Sequence, residues 1–226
     1  IDRSLVGSEM CIRDREMLRS AQKPLVVAGG RLHGAQALGD FTKFAEEFQL
    51  PVATSQRRFH VFDSRHPNAA GRLFNRAPGE MLEAMKESDL LLVLGERIGP
   101  SMSQGYTFPR APKPDQPMIH VWPSTEEVGR NYEPELGIGC DPHEFIKAMM
   151  AEGAGDLPAG RAEWVQRLNT IHKEVMNWTP VSSNDGVVFG HVITAIDKHM
   201  EKDAVVTCDA GNFSSWPSRF LNMGQE

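Results

Sequence analysis

The sequence predicts an α/β fold, a parallel sheet flanked by helices, followed by the truncated opening of a second α/β domain. Three observations carry this expectation. Short apolar runs recur at Pro24 to Ala28 and Leu90 to Leu94, with a similar stretch, interrupted by His120, at Pro117 to Trp122. Runs of that length read as strands buried on both faces. Stretches of helical period alternate with them, as in the repeating unit of a parallel sheet. Glycines close the first two runs, as Gly29-Gly30 and Gly95, at the carboxyl ends of strands, where ligands bind in open α/β sheets.

Taken in order, residues Ile1 to Arg15 have no usable amphipathic period and no signal-peptide core. Ser4 to Arg15 resembles translated sequencing-adapter sequence, so 1–15 is expected to be a non-native leader, with the native frame resuming near Glu16. A genuine linker from an upstream domain is the alternative. Glu16 to Gln22 reads as a short polar lead-in. Pro24 to Gly30 is a buried strand and its glycine exit. Gly34 to Gln49 is a helix with Leu38, Phe41, Phe44, Ala45 and Phe48 on one face. Pro51 to Ser55 is a second strand. Gln56 to Ala77 is a long polar loop of a length that is usually functional or disordered.

Pro78 to Ser88 is a helix that turns Met81, Leu82 and Met85 inward, and it leads into the strand Asp89 to Gly95. The proline-rich Gly99 to Gln116 is a loop, Pro117 to Trp122 a strand, and Gly137 to Asp141 a short strand with its exit. Asp141 before Pro142 is a good helix start, an acid cap followed by proline at the first helical position. The helix Pro142 to Met150 buries Phe145, Ile146 and Met149. Ala151 to Gly160 has linker composition. Arg161 to Trp178 is a helix with a stripe of Trp164, Leu168, Ile171 and Val175. Asp185 to Met200 is another that buries Val188, Val192, Ile193 and Ile196, and Ala204 to Cys208 is a strand. The expected division is 16–152 central domain, 153–183 linker with a helix, and 184–226 the start of a second domain.

The chain has 226 residues, one domain or a domain and a half at about 150 residues per domain. With 40% hydrophobic and 24% charged residues it is of ordinary globular composition. No apolar run is long enough to span a membrane. A formal net charge of -6 argues against a nucleic-acid partner. Cys11, Cys140 and Cys208 are far apart, which suits a reducing compartment such as the cytoplasm and gives neither a disulfide framework nor a metal pattern. The histidines show no metal-ligand spacing, and no nucleophile elbow or Walker loop is present.

The candidate binding residues are therefore those at strand ends. Gly29-Gly30 can cradle a phosphate on the backbone N–H groups of a strand-to-helix turn, or simply make a tight turn. Gly95-Glu96-Arg97 offers close approach beside a guanidinium apt for phosphate, or a solvated charge pair. Cys140-Asp141 can present a carboxylate to a ribose or an adenine amine, or only a helix cap.

Together these residues resemble the thiamine-diphosphate-dependent enzymes of the acetolactate synthase type. The matching string runs from Lys23-Pro24 through Gly29-Gly30, Leu50 to Thr54, His66-Pro67 with Gly71, Ser88 to Arg97, Ile119-His120-Val121 and Gly139-Cys140-Asp141. It resembles the family's Rossmann-like central domain. Asp209-Ala210-Gly211-Asn212-Phe213 with Trp216 resembles the opening of the following domain, which in the family holds the cofactor's diphosphate. The resemblance implies cofactor contacts at Gly29, Gly30, Gly71, Gly95, Arg97, Cys140, Asp141, Gly211, Asn212 and Phe213. It implies thiamine diphosphate and Mg2+ for the full-length protein, a small 2-oxo acid substrate and a homodimer or homotetramer. The family's catalytic glutamate lies upstream of the matching region and its G-D-G…N motif downstream, so the chain reads as a fragment without a catalytic residue. Flavin-binding members carry D-x-D where Trp122-Pro123-Ser124 stands here and a glycine-rich stretch where Gly71 to Arg76 stands, and the family's second-domain loop carries a polar pair where Asn212-Phe213 stands, so one polar contact is missing. FAD, ADP or no nucleotide in the central domain all remain open. So do decarboxylase or acyl-CoA lyase chemistry within the family and, outside it, a non-catalytic nucleotide-binding module.

Overall fold

The computed structural model describes residues 8–224. Its elements are α1 (Ser8–Ser20), β1 (Pro24–Ala28), α2 (Ala35–Glu47), β2 (Val52–Ser55), β3 (Ala69–Leu73), α3 (Gly79–Lys86), β4 (Leu90–Leu94), β5 (Met118–Trp122), β6 (Leu136–Gly139), α4 (Pro142–Glu152), α5 (Arg161–Met176), α6 (Phe189–His199) and α7 (Ser215–Phe220). The strands form one six-stranded sheet in the order β3-β2-β1-β4-β5-β6, and every neighbouring pair is parallel. The expected α/β architecture is present. β4 lies in the middle, its five residues buried on both faces, which is why its sequence is an unbroken apolar run. No helix among the described residues is long and apolar enough to cross a membrane.

Alternation along each strand divides the core into two layers. One face carries Val26, Ala28, Leu90, Leu92, Leu94, Ile119 and Val121 against Phe41, Phe44 and Phe48 of α2 and Phe145, Ile146 and Met149 of α4. The other carries Leu25, Val27, Leu91, Val93 and Met118 against Met81 and Met85 of α3 and Trp164, Leu168 and Val175 of α5. Burial of each such large side chain is worth about 1.5–3 kcal/mol. The Trp164 indole N–H donates to Pro24 O at 2.8 Å, so α5 is fastened to the start of β1 as well as packed on the sheet.

Four expectations are corrected. The long polar loop at 56–77 contains β3, all five residues of which are buried. Its Ala-Ala-Gly-Arg-Leu sequence has little intrinsic strand preference. Tertiary hydrogen bonds hold it, Asn169 Nδ2 donating to Ala69 O at 2.8 Å and Asn68 Nδ2 to Ala45 O and Leu50 O at 3.0 Å each. The polar lead-in at 16–22 is largely the second half of α1. Arg161, fully buried, caps that helix by donating to Leu18 O and Ala21 O, and also reaches Phe48 O at the end of α2. In the first half Arg15 pairs with Glu152 at 2.7 Å, and Arg13 with Glu135; residues 1–7 of the expected leader lie outside the described residues. Ala204 to Cys208 is no strand: it pairs with no other segment among the described residues, and Val205 is 78% exposed. A strand without a neighbour leaves its backbone groups to water. Of the four residues expected to be buried on α6, Ile193 is buried and Ile196 is exposed, with Val188 and Val192 between, because nothing covers that face among the described residues.

Candidate functional site at the strand switch point

The strand order reverses between β1 and β4, the place where open α/β sheets form a crevice beyond the carboxyl ends of their strands. Three strand exits are laced together there. Gly29 N–H donates to Leu94 O at 2.9 Å, Arg31 N–H to Gly95 O at 3.3 Å, and Gly95 N–H to Val121 O at 3.0 Å. A Cβ on Gly29 would lie 2.4 Å from Gly95 O and 2.5 Å from Glu96 Cβ. Gly95 has φ +64°, and a Cβ there would lie 2.7 Å from Arg31 Cβ and 3.1 Å from Pro142 Cγ. Both glycines are thus required by protein packed on protein. The space beside Gly30 is filled by the Arg58 side chain, whose Nε would lie 2.2 Å from an added Cβ.

The topology brings several expected residues together. Gly29, Gly30 and Gly95 meet at the crest, and Pro142, which follows Cys140-Asp141, borders Gly95. Asp141 caps α4, its Oδ1 accepting from His143 N–H at 2.8 Å, and Cys140 packs half-buried against the core. Arg97 lies over the half-buried Trp122 ring at 5.6 Å and 3.8 Å from Glu127. Gly71 stays apart from the crest. It lies within β3 at φ +127°, and a Cβ there would collide with Met81 Sδ at 2.2 Å. Gly211, Asn212 and Phe213 are exposed and also lie apart, on the turn before α7.

Sequence reasoning missed Arg31, Arg58 and Trp122. The Arg31 guanidinium lies 5.1 Å from the Trp122 ring centroid, a cation–π contact like that of Arg97. The overlooked signal was positional. Arginine follows β1 as Arg31, β2 as Arg57-Arg58 and β4 as Arg97, and parallel strands deliver their exits to one edge. An acidic chain therefore carries a basic rim at its switch point. Helix α2 begins beside this rim at Gly34 without a side-chain cap, so its first N–H groups face outward and favour an anion.

His120, on β5, is almost fully buried and donates from Nε2 to Glu96 O at 2.9 Å. Burial pushes its pKa below the usual histidine value, so it is neutral and braces the Glu96 backbone. The rim can hold an anion, but it pairs no nucleophile with a base. No cluster of three or more His, Cys, Asp or Glu able to hold a metal occurs among the described residues. The space a Cβ would take on Gly211 is met by the Phe213 ring edge at 2.8 Å. The described residues near Gly211 thus present an exposed turn before α7 and no cluster of metal ligands.

Comparison with known proteins agrees with this anatomy. A family model described as thiamine pyrophosphate enzyme, central domain, matches residues 15–149, more than half of the chain. The acetolactate synthase large subunit of Parasynechococcus marenigrum strain WH8102 is 25% identical over 210 residues, covering 92% of this chain and 33% of that protein. Acetolactate synthase isozyme 1 large subunit of Escherichia coli K12 is 27% identical over 213 residues, 94% of this chain and 36% of its own length. The sulfoacetaldehyde acetyltransferase of Rhodobacter capsulatus is 29% identical over 175 residues, 72% of this chain and 30% of its own. The chain spans about a third of the length of these relatives. With a six-stranded parallel sheet across the matched residues, the chain belongs to the thiamine pyrophosphate enzymes and carries their central domain.

Proposed function

We propose that the full-length protein uses thiamine diphosphate and Mg2+ to make or break the carbon–carbon bond next to the carbonyl of a 2-oxo acid, as transferase or lyase. Acetolactate synthase-like carboligation is the leading reaction, ahead of simple decarboxylation or acyl-CoA cleavage. The observation that carries this reading is the coincidence of the family match with the sheet and its switch point. This chain supplies scaffold and no catalytic residue. Cytoplasmic location as a homodimer or homotetramer is part of the same reading. The exposed apolar Val187, Ile196, Val205 and Phe213 support a further covering surface there.

We also propose that the basic rim takes a nucleotide diphosphate, ADP rather than FAD, with phosphate on Arg97 and the α2 N-terminus and the adenosine toward Asp141. The Trp122 ring beneath Arg31 and Arg97, at a position where flavin-binding members carry an acid, supports this choice. The test of the main reading is turnover by the full-length protein with thiamine diphosphate and Mg2+. Pyruvate consumption with release of carbon dioxide supports it. Consumption of sulfoacetaldehyde instead moves the assignment to the acetyltransferase side. Inactivity on both, with nucleotide binding retained, favours a non-catalytic binding module.

A further inference from the structure

Like Arg161, Arg72 is an arginine buried outside the switch point with backbone carbonyls for partners. It lies on the edge strand β3, is 3% exposed, and makes no direct ion pair among the described residues, although the Asp197 carboxylate is near enough to favour its charge. Arginine is almost never so buried unless paired. Its partners are backbone carbonyls at the end of α7: Nη1 donates to Ser218 O at 2.9 Å, and Nη2 to Leu221 O at 2.8 Å. Those are carbonyls of a helix end, which lack intrahelical donors. The guanidinium also stacks on Phe59, 4.9 Å from the ring centroid. We propose that Arg72 is a clasp, the positioning residue by which the central sheet sets the orientation of residues 212–223, the start of the following domain.

Independent contacts converge on the same segment. Ser64 N–H donates to Met223 O and Met223 N–H donates to Ser64 Oγ, each at 3.0 Å. Ser64 is itself held from α5, where His172 Nε2 donates to Ser64 O at 3.0 Å. Arg219 Nε donates to Val175 O at 3.0 Å, and Asn222 gives both its N–H and its Nδ2 to the Asp197 carboxylate at 2.7 Å. The segment is thus seated on β3 of the central domain, on α5 and on α6, while its apolar neighbours Val205 and Phe213 stay exposed. Its place comes from the central sheet and α5 together with α6, whose Phe189 ring meets Trp216 at 5.9 Å and whose Asp197 takes Asn222. A planar guanidinium can give two diverging donors to two carbonyls, which a lysine ammonium on one stem does not reproduce.

The clasp rests on the reading of this segment as the entrance to the cofactor domain, since only then does its orientation bear on chemistry. The placement itself is tested on the 226-residue chain. Amide hydrogen exchange is compared in wild type, Arg72→Met and Arg72→Lys. Amides of 215–223 should exchange about tenfold faster in Arg72→Met while β1 and β4 amides keep their wild-type rates, the mark of local rather than global opening. Arg72→Lys should fall between the two. Unchanged exchange at 215–223 in Arg72→Met overturns the clasp, as does acceleration spread equally over the chain. If Arg72→Met does not fold, wild-type exchange at 215–223 in Arg72→Lys overturns it. Thiamine-dependent turnover plays no part in this readout, so an inactive full-length protein would sink the functional reading and leave the clasp standing.

Discussion

Replacing Gly29 by alanine tests why a glycine stands at the switch point. The added Cβ would lie 2.4 Å from Gly95 O, 2.5 Å from Glu96 Cβ and 2.8 Å from Glu96 Cα. Ordinary carbon contacts lie at about 3.5–4.0 Å, so β1 and β4 must part by on the order of 1 Å at their exits. None of the three atoms is the end of a flexible side chain that can swing away. Overpacking of this kind costs about 1–3 kcal/mol. The retreat also strains the bonds from Gly29 N–H to Leu94 O and from Arg31 N–H to Gly95 O, each worth about 0.5–1.5 kcal/mol. The expected loss is roughly 2–6 kcal/mol. Gly39 in α2 is the control, since a Cβ there meets nothing within 4 Å, and alanine in a helix interior gains about 0.5–1 kcal/mol. Urea unfolding at constant m reads both. If Gly29 served only the approach of a ligand, Gly29→Ala would be harmless in the ligand-free chain. A loss under about 1 kcal/mol, or a shift in the same direction as Gly39→Ala, would refute the packing argument.

Acid should destabilise the chain through His172. Burial, opposed by its hydrogen bond to Ser64, pushes its pKa from 6.5 down to about 4, so the unfolded chain takes up a proton that the folded one refuses. Stability from this source is complete above pH 6.5 and is lost as pH falls toward 4, by roughly 3 kcal/mol in all. His172→Gln should flatten the slope of unfolding free energy against pH in that window, and an unchanged slope would contradict the assignment. ADP should raise the thermal midpoint of the wild type but not of Arg97→Ala, with FAD giving less; equal shifts in both proteins would put the ligand elsewhere. Calorimetry with thiamine diphosphate and Mg2+ should show no binding to the 226-residue chain, and micromolar affinity would sink the fragment reading. Amides of 204–208 should exchange among the first and those of β4 among the last; equal protection would count against an uncompleted second domain.

The sheet was legible where burial alone decides structure. β1 and β4 are apolar because both faces are covered, β5 is so apart from His120, and the stripes of α2, α4 and α5 register against them. β3 escaped because its stability comes from elsewhere: side-chain amides of Asn68 and Asn169 on its neighbourhood, Met81 over Gly71, and Arg72 turned toward α7. None of these has a period that can be read along the chain. α1 escaped for a similar reason, since Arg161, some 140 residues away, caps it. The opposite error arose at Ala204 to Cys208, whose composition fits a strand although no neighbour among the described residues pairs with it. Strand propensity states which surface a residue fits, and pairing needs the surface itself.

At the candidate site, the glycines were found for a reason that proved double. A glycine after a strand lets backbone approach backbone as readily as it lets a phosphate approach, and the sequence does not say which. The structure separates the two at Gly29 and Gly95, where Leu94 O, Gly95 O, Arg31 and Pro142 already occupy the near space. What remains for a ligand is the outer rim, and its chemistry is set by side chains that follow the glycines. Arg31, Arg58 and Arg97 sit there because three strands run parallel and end together. A ligand of this rim must satisfy guanidiniums and uncapped helix N–H groups at once, which selects for phosphate or carboxylate. It must also do so above an indole that two of those guanidiniums already cover. Both ADP and FAD carry the diphosphate, but only FAD must also seat an isoalloxazine near that covered indole, which is the physical ground for expecting ADP to outbind FAD at this edge.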